Sequence, residues 1–237
     1  MLEVSHLKKH FGALKVIDGV DLSVARGEVL GILGPNGAGK STLFNLISGN
    51  LPPTNGIIRL KGVDITKANP WTRVRDGIGR TFQVPHPFGH LTVFENVLVS
   101  ATQVRRQSVA AARPEVNRIL DLCHLSHRAR VPAGDLPLLD LKRLELAKAL
   151  GTNPDLLLLD EIAGGLTDSE CGALLDILDT IKAEGVTIVW IEHIVHALIR
   201  VATRLVVLAE GTLIANGTPE EVMADPKVRN LYLGVEA

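Results

Sequence analysis

The chain has 237 residues, 46% of them apolar and only 3% aromatic. That length supports one large domain, or a domain with a subdomain, around a core of Leu, Val, Ile and Ala. A net charge of -1 excludes the broad basic footprint of a nucleic-acid binder, and no apolar run approaches the ~18 residues of a membrane span. Cys123 and Cys171 lack metal spacing and read as buried, reduced thiols, as in a cytosolic protein. No leader pattern follows Met1, and there is no internal repeat or low-complexity tract.

Leu2 to Lys9 and Leu14 to Val24 alternate apolar and polar residues and predict two strands. His10-Phe11-Gly12 lies between them, and Phe11 is either a packed aromatic or a platform for a stacked base. Val29 to Leu33 is a short apolar run that suits a buried strand. Gly34-Pro-Asn-Gly-Ala-Gly39-Lys40-Ser41 then fits the phosphate-loop pattern at every fixed position. Leu43, Phe44, Leu46 and Ile47 give the helical period that should follow it.

The spacing has a chemical reason. Backbone N–H groups must point inward around a phosphate, and Gly34, Gly37 and Gly39 clear the side chains from that approach. The positive end of the helix adds a favourable field. Lys40 reaches the β- and γ-phosphates, and Ser41 supplies a hydroxyl to Mg²⁺.

Ile57 to Leu60 predicts a further strand, Asn69 to Asp76 a short helix, and Ile78 to Gln83 a strand ending in a polar residue. Val84 to His90 is a loop with two prolines. Thr92-Val-Phe-Glu95 is a capping box opening a helix through Ala101, and a second helix is expected from Pro114 to Cys123. Leu125 to Asp135 reads as an irregular connection, and Asp140 as the cap of a helix through Leu150. Residues 84–152 therefore form a helical insertion between α/β flanks at 1–83 and 153–237.

Asp155 to Leu159 is a continuous apolar run, as a buried parallel strand requires, and Asp160-Glu161 closes it. Thr167-Asp-Ser-Glu170 caps a helix towards Ala183. Val186 to Ile191 is a strand followed by Glu192-His193 and a helix. Arg204 to Leu208 and Thr212 to Ala215 are strands about a turn at Gly211, and Thr218-Pro-Glu-Glu221 opens a last helix.

An acidic pair closing a buried strand downstream of a phosphate loop points to nucleotide hydrolysis. Asp160 would hold Mg²⁺, and Glu161 would orient or deprotonate the attacking water. His193 also follows a strand, and either contacts the γ-phosphate or caps the next helix.

Together Gly34 to Ser41, Thr81-Phe-Gln83, Leu156-Leu-Leu-Leu-Asp-Glu161 and Ile191-Glu-His193 resemble, in order and over nearly the whole chain, an ABC transporter ATP-binding subunit. The resemblance implies a P-loop NTPase α/β core with a mostly parallel sheet, an antiparallel β subdomain and an inserted helical subdomain. It implies ATP and Mg²⁺ as ligands, with Phe11, Val16, Gly34, Asn36, Gly37, Ala38, Gly39, Lys40, Ser41 and Thr42 around the nucleotide. Ser41, Gln83 and Asp160 are the implied Mg²⁺ ligands, and Lys40, Gln83, Glu161 and His193 the catalytic set. Phe11 then takes the aromatic stacking position, and residues Gly165 to Asp168 cross a dimer.

Arg80-Thr-Phe-Gln through Phe94-Glu-Asn-Val97, Ile191-Glu-His-Ile-Val195 and the tail Tyr232-Leu-Gly are similar to the branched-chain (hydrophobic) amino acid importers. That likeness implies a peripheral subunit on the cytoplasmic face of the cell membrane. Its partners are permease subunits and a second ATP-binding subunit, with no nucleic acid.

Two departures stand out. The family signature is Leu-Ser-Gly-Gly-Gln, or Leu-Pro-Tyr-Gly-Gln in close relatives. Here Leu136-Pro-Leu-Leu-Asp140 takes its place, and Pro137 has no N–H while Asp140 should repel phosphate unless Lys142 and Arg143 restore positive field. Ile162 stands where the family usually carries Pro. The degenerate signature favours a heteromeric partner with an intact one. Rival readings are a nucleotide-binding scaffold with weak hydrolysis and a non-transport ABC ATPase.

Overall fold

The computed structural model describes residues 1–233, without the side chains of residues 105, 232 and 233. Of the Tyr232-Leu-Gly tail, Gly234 and the two preceding side chains lie outside the described residues. In chain order the elements are β1 (Leu2–Phe11), β2 (Leu14–Val24), β3 (Val29–Leu33), α1 (Lys40–Ser48), β4 (Asn55–Leu60), β5 (Val63–Asp64) and α2 (Pro70–Arg75). There follow β6 (Ile78–Arg80), α3 (Val93–Arg105), α4 (Val109–Leu122), α5 (Leu138–Gly151), β7 (Leu156–Asp160) and α6 (Asp168–Ala183). The last are β8 (Thr187–Ile191), α7 (Val195–Val201), β9 (Arg204–Ala209), β10 (Thr212–Gly217), α8 (Pro219–Ala224) and α9 (Pro226–Leu233). The chain forms two compact units, residues 1–73 with 187–237, and residues 74–186.

In the first unit, β2-β1-β4-β5 form an antiparallel sheet. Alternation, interrupted by register shifts between Val4 and Leu7 and between Leu7 and Lys8, puts Leu2, Val4 and Leu7 of β1 and Ile17, Val20 and Leu22 of β2 inside. The second sheet of this unit has β3 between β8 and β9, parallel to both, with Val29 opposite Ile188 and Leu30 opposite Arg204. β10 adds an antiparallel edge to β9. Every residue of β3 and β8 is buried, which is why β3 reads as an unbroken apolar run and β8 as one after Thr187.

Helix α1 leaves β3 through the phosphate loop, and a residue from 27 positions downstream caps its other end. The Arg73 guanidinium, 1% exposed, donates from Nη1 to the carbonyls of Leu46 (2.6 Å) and Ile47 (2.8 Å). Nε and Nη2 reach the carbonyls of Ala68 and Thr66, both at 2.9 Å. A cation on the last carbonyls of a helix satisfies orphan acceptors and the negative helix end together.

In the second unit, β6 runs parallel to β7, with Ile78 opposite Leu156. The strand expected through Gln83 ends at Arg80. The Thr81 N–H still reaches the Leu158 carbonyl (2.9 Å), but Phe82 and Val84 are exposed, and Pro85 and Pro87 cannot continue a ladder. The capping boxes at Thr92 and Thr167 form as expected, as does Thr218 in the first unit.

Two helix starts differ from expectation. α4 begins at Val109, where Ser108 accepts the N–H of Ala111, and Pro114 lies inside the helix. α5 begins at Leu138 behind Pro137, so Asp140 is a helical residue and not the cap. Cys123 and Cys171 are buried free thiols, and burial pushes the Cys123 thiol up to about 12.

Candidate active site

The first unit presents the phosphate loop. The N-cap of α1 is Gly39 at φ 103, and Gly37 stands at φ 80; both lie in the left-handed region that favours glycine. Space is as restrictive as dihedral angle. A Cβ on Gly34 would stand 2.2 Å from the Leu208 carbonyl oxygen, and one on Gly39 2.7 Å from that of Val16. Val16 thus touches the loop through its backbone.

Lys40 is 6% exposed, and its Nζ donates to the carbonyls of Gly34 (2.7 Å) and Pro35 (3.0 Å). Ala38 is buried beneath the loop, while Asn36, Gly37 and Ser41 are exposed and Thr42 is half-buried. The cradle of backbone amides, the helix start and the buried ammonium together fit a polyphosphate.

Phe11 is 48% exposed, so it is no core aromatic. The Lys9 ammonium lies 4.9 Å from its ring centroid, and the ring is of a kind that a base can stack on. His193 is exposed just past β8. Its N–H donates to the buried Glu192 carboxylate at 2.9 Å. Ile194 is the N-cap of α7, so His193 is not a helix cap.

The second unit brings Gln83 and Glu161 together: Gln83 Nε2 donates to Glu161 Oε2 at 2.5 Å. Glu161 is 8% exposed and sits at φ 48. A side-chain-bearing residue in that region stores about 1–3 kcal/mol of strain and persists only where its surroundings hold it. Asp160 accepts from Arg80 Nη2 at 3.0 Å, and its N–H donates to the Thr81 hydroxyl at 3.1 Å. Among the described residues no cluster of three His, Cys, Asp or Glu side chains could hold a metal. Taken separately, the Asp160 carboxylate of the second unit and the exposed Ser41 hydroxyl of the first are each oxygen donors of the kind that Mg²⁺ takes beside substrate phosphates and water.

The stretch 136–140 differs from its sequence reading. Asp140 is 5% exposed and is paired with Arg143 (3.2 Å) and Arg128 (3.4 Å). Its charge is neutralised locally and does not stand bare at the helix start. Lys142 does not supply surface field: it is 3% exposed, and its Nζ donates to the carbonyls of Gln83 (2.7 Å) and Glu161 (3.3 Å). Ile162 is wholly buried, so an apolar contact takes the place of the usual proline.

Sequence reasoning missed the roles of Arg80, Arg128 and Lys142. The available signal was a cation interrupting apolar runs, at Arg80 beside a strand and at Lys142 between Leu141 and Leu144.

Residues 17–164 match the ABC transporter family, and residues 212–237 match the branched-chain amino acid ATP-binding cassette transporter family. The chain belongs to the ABC transporter ATP-binding cassettes. The cassette is 35% identical to the high-affinity branched-chain amino acid transport ATP-binding protein BraF of Pseudomonas aeruginosa, over 99% of this chain and 98% of that one. It is 34% identical to the probable branched-chain amino acid transport ATP-binding protein LivG of Methanocaldococcus jannaschii, over 99% and 97%.

Among solved structures, the ADP conformation of an ATP-binding cassette of an ABC transporter superposes with a TM-score of 0.90 at 32% identity, covering 99% of both chains. A nucleotide-free cassette gives 0.88 at 33% identity, also covering 99% of both. The cassette therefore has the P-loop ABC fold, binds nucleotide and is an ATPase. A related cassette, 25% identical, is dimeric in a post-hydrolysis state with ADP and Pi. No helix among the described residues is long and apolar enough to cross a membrane.

Proposed function

We propose that the cassette drives an importer for branched-chain or other hydrophobic amino acids, docked on permease subunits at the inner face of the cell membrane. The substrate class rests on the full-length likeness to BraF and LivG and on the match at residues 212–237. The ATPase chemistry rests above all on the phosphate loop, where an added Cβ on Gly34 or Gly39 would clash and Gly37 holds a φ of 80 that favours glycine.

In this reading residues 34–42 and Val16 surround the phosphates, Phe11 stacks on the base, and Lys40 exchanges its two loop carbonyls for phosphate oxygens. Ser41, Asp160 and Gln83 would hold Mg²⁺, which would screen phosphate charge when bound. Glu161, oriented by Gln83, takes a proton from water as the water oxygen attacks the γ-phosphorus in line. The bond to the β–γ bridging oxygen breaks, and ADP and phosphate leave. His193 donates to the γ-phosphate.

Residues 84–152 are the helical subdomain, and residues 1–83 and 153–237 the α/β core. The loop at residues 84–91, with Phe88 54% exposed, docks the permease. Buried Asn96 pins that loop, accepting the Phe88 N–H (2.8 Å) and donating to the carbonyls of Phe88, Leu91 and Thr92. Because residues 136–140 lack the signature Ser and glycines, the working dimer pairs this chain with a second ATP-binding subunit, Gly165 to Asp168 lying at their contact.

Glu161→Gln tests the catalytic reading. The variant should bind ATP, accumulate as a closed dimer on gel filtration with Mg²⁺, and release phosphate at a small fraction of the normal rate. Normal turnover would remove Glu161 from the role. Phe88→Asp should abolish transport while the chain's own ATPase activity persists.

A further inference from the structure

We propose that Lys142 is a positioning residue that ties the start of α5 to the Gln83–Glu161 pair; this rests on the catalytic reading of Glu161. The ammonium is buried in the second turn of α5, four residues past Leu138 and three past Leu139. Its donors reach the main-chain oxygens of the same two residues whose side chains bond each other at 2.5 Å. One cation thus holds both backbones of the pair, and the pair's own hydrogen bond closes the ring.

Neither held residue belongs to a strand or a helix, so no ladder fixes them. Glu161 depends most on outside contacts, since its φ of 48 is unfavourable for a residue with a side chain. Its carbonyl accepts from Lys142 and from the Gly164 N–H at 3.3 Å. A buried ammonium is costly unless its donors are used. Lys142 is therefore fixed in place, and a shift of α5 carries both carbonyls with it. Whatever engages residues 136–140 at the head of this helix reaches Glu161 through that link.

The test is a series at one position in the full chain, Lys142→Arg, Lys142→Gln and Lys142→Met. It is read by kcat, by affinity for a fluorescent ATP analogue, and by hydrogen–deuterium exchange. Turnover should fall as donors are lost, by about 10- to 100-fold at Met, the loss expected from misplacing a catalytic group by about an ångström. Nucleotide affinity should hold within about twofold, and faster exchange should be confined to residues 81–86 and 161–166. Combining Lys142→Met with Gln83→Ala should cost no more than the worse single change, since both loosen the same pair.

Unchanged kcat in any folded variant lacking the charge overturns the proposal. So does a loss that lowers affinity equally and speeds exchange throughout the unit. Should Lys142→Met fail to fold, the Gln variant decides by the same criteria. Normal turnover in Glu161→Gln would instead defeat the catalytic reading, leaving the tie itself to be judged by exchange alone.

Discussion

Helix α1 starts on Gly39 at φ 103, after a loop where an added Cβ on Gly34 would press to 2.2 Å from a carbonyl oxygen. Helix α5 starts behind Pro137 at φ -66 and ψ 163, ordinary extended backbone. The first start needs glycine for its shape; the second does not. Leu138 and Leu139 therefore sit without strain where the family signature has small residues, and their cost falls on what the helix presents and not on folding. Charge divides the two as well. α1 carries the buried Lys40, whereas α5 carries the buried Asp140 between Arg128 and Arg143. The segment whose sequence looks hostile to phosphate is electrostatically closed.

The largest test removes the charge at the first start. Lys40→Ala should lower phosphate release by roughly 10³-fold or more, the scale of losing one preorganised charge contact to the transferring group. Gly34→Ala should abolish binding of a fluorescent nucleotide, since backbone cannot yield to a side chain at that distance. At the second start, Leu139→Gly should raise turnover of the chain alone by about tenfold, part of what a backbone N–H uncovered by loss of the side chain can supply at developing phosphate charge. An isolated wild-type chain already working at the rate of a co-purified pair would end the asymmetric model.

Asp140→Asn comes next. It strips one partner from two guanidiniums, one of them half-exposed. We expect a loss of about 1–3 kcal/mol, read as a drop in thermal midpoint of about 2–4 °C per kcal/mol at this size. Nucleotide affinity should stay within about twofold; a tenfold gain would show that the carboxylate is not neutralised.

A third helix start serves as a control. α3 has neither glycine nor ion pair, only the reciprocal bonds of Thr92 and Glu95. Thr92→Ala should cost about 1 kcal/mol and leave turnover unchanged. Those bonds hold the Glu95 carboxyl below its usual pKa, first through the Thr92 N–H and then through its hydroxyl. The stability they lend is present above the ordinary carboxylate range and disappears as pH falls through the lowered value. Glu95→Gln should slightly flatten the acid limb of the melting profile.

What could be read from the sequence was local. The phosphate loop, the acidic pair at the end of β7 and the three boxes capped by Thr92, Thr167 and Thr218 depend on residues a few positions apart. Pro114 misled because proline favours the first helical turn, whereas the bond that starts α4 comes from Ser108. Arg80 meets Asp160 across 80 positions and Lys142 meets Gln83 across 59; no periodicity announces such pairs. Asp140 resembled a cap because its partners Arg128 and Arg143 turn inward only once the chain has folded.

Burial of the two thiols makes the wild-type chain a convenient background for chemical labelling. Cys123, pushed up to about 12, is thiolate in only about one molecule in 10⁵ at neutral pH, and the thiolate is what alkylating reagents attack. Cys171 is 3% exposed and equally out of reach. A cysteine introduced at Val84, 64% exposed, would react with maleimide against a silent background. Its labelling rate with and without the permease would report whether the loop after Gln83 becomes covered.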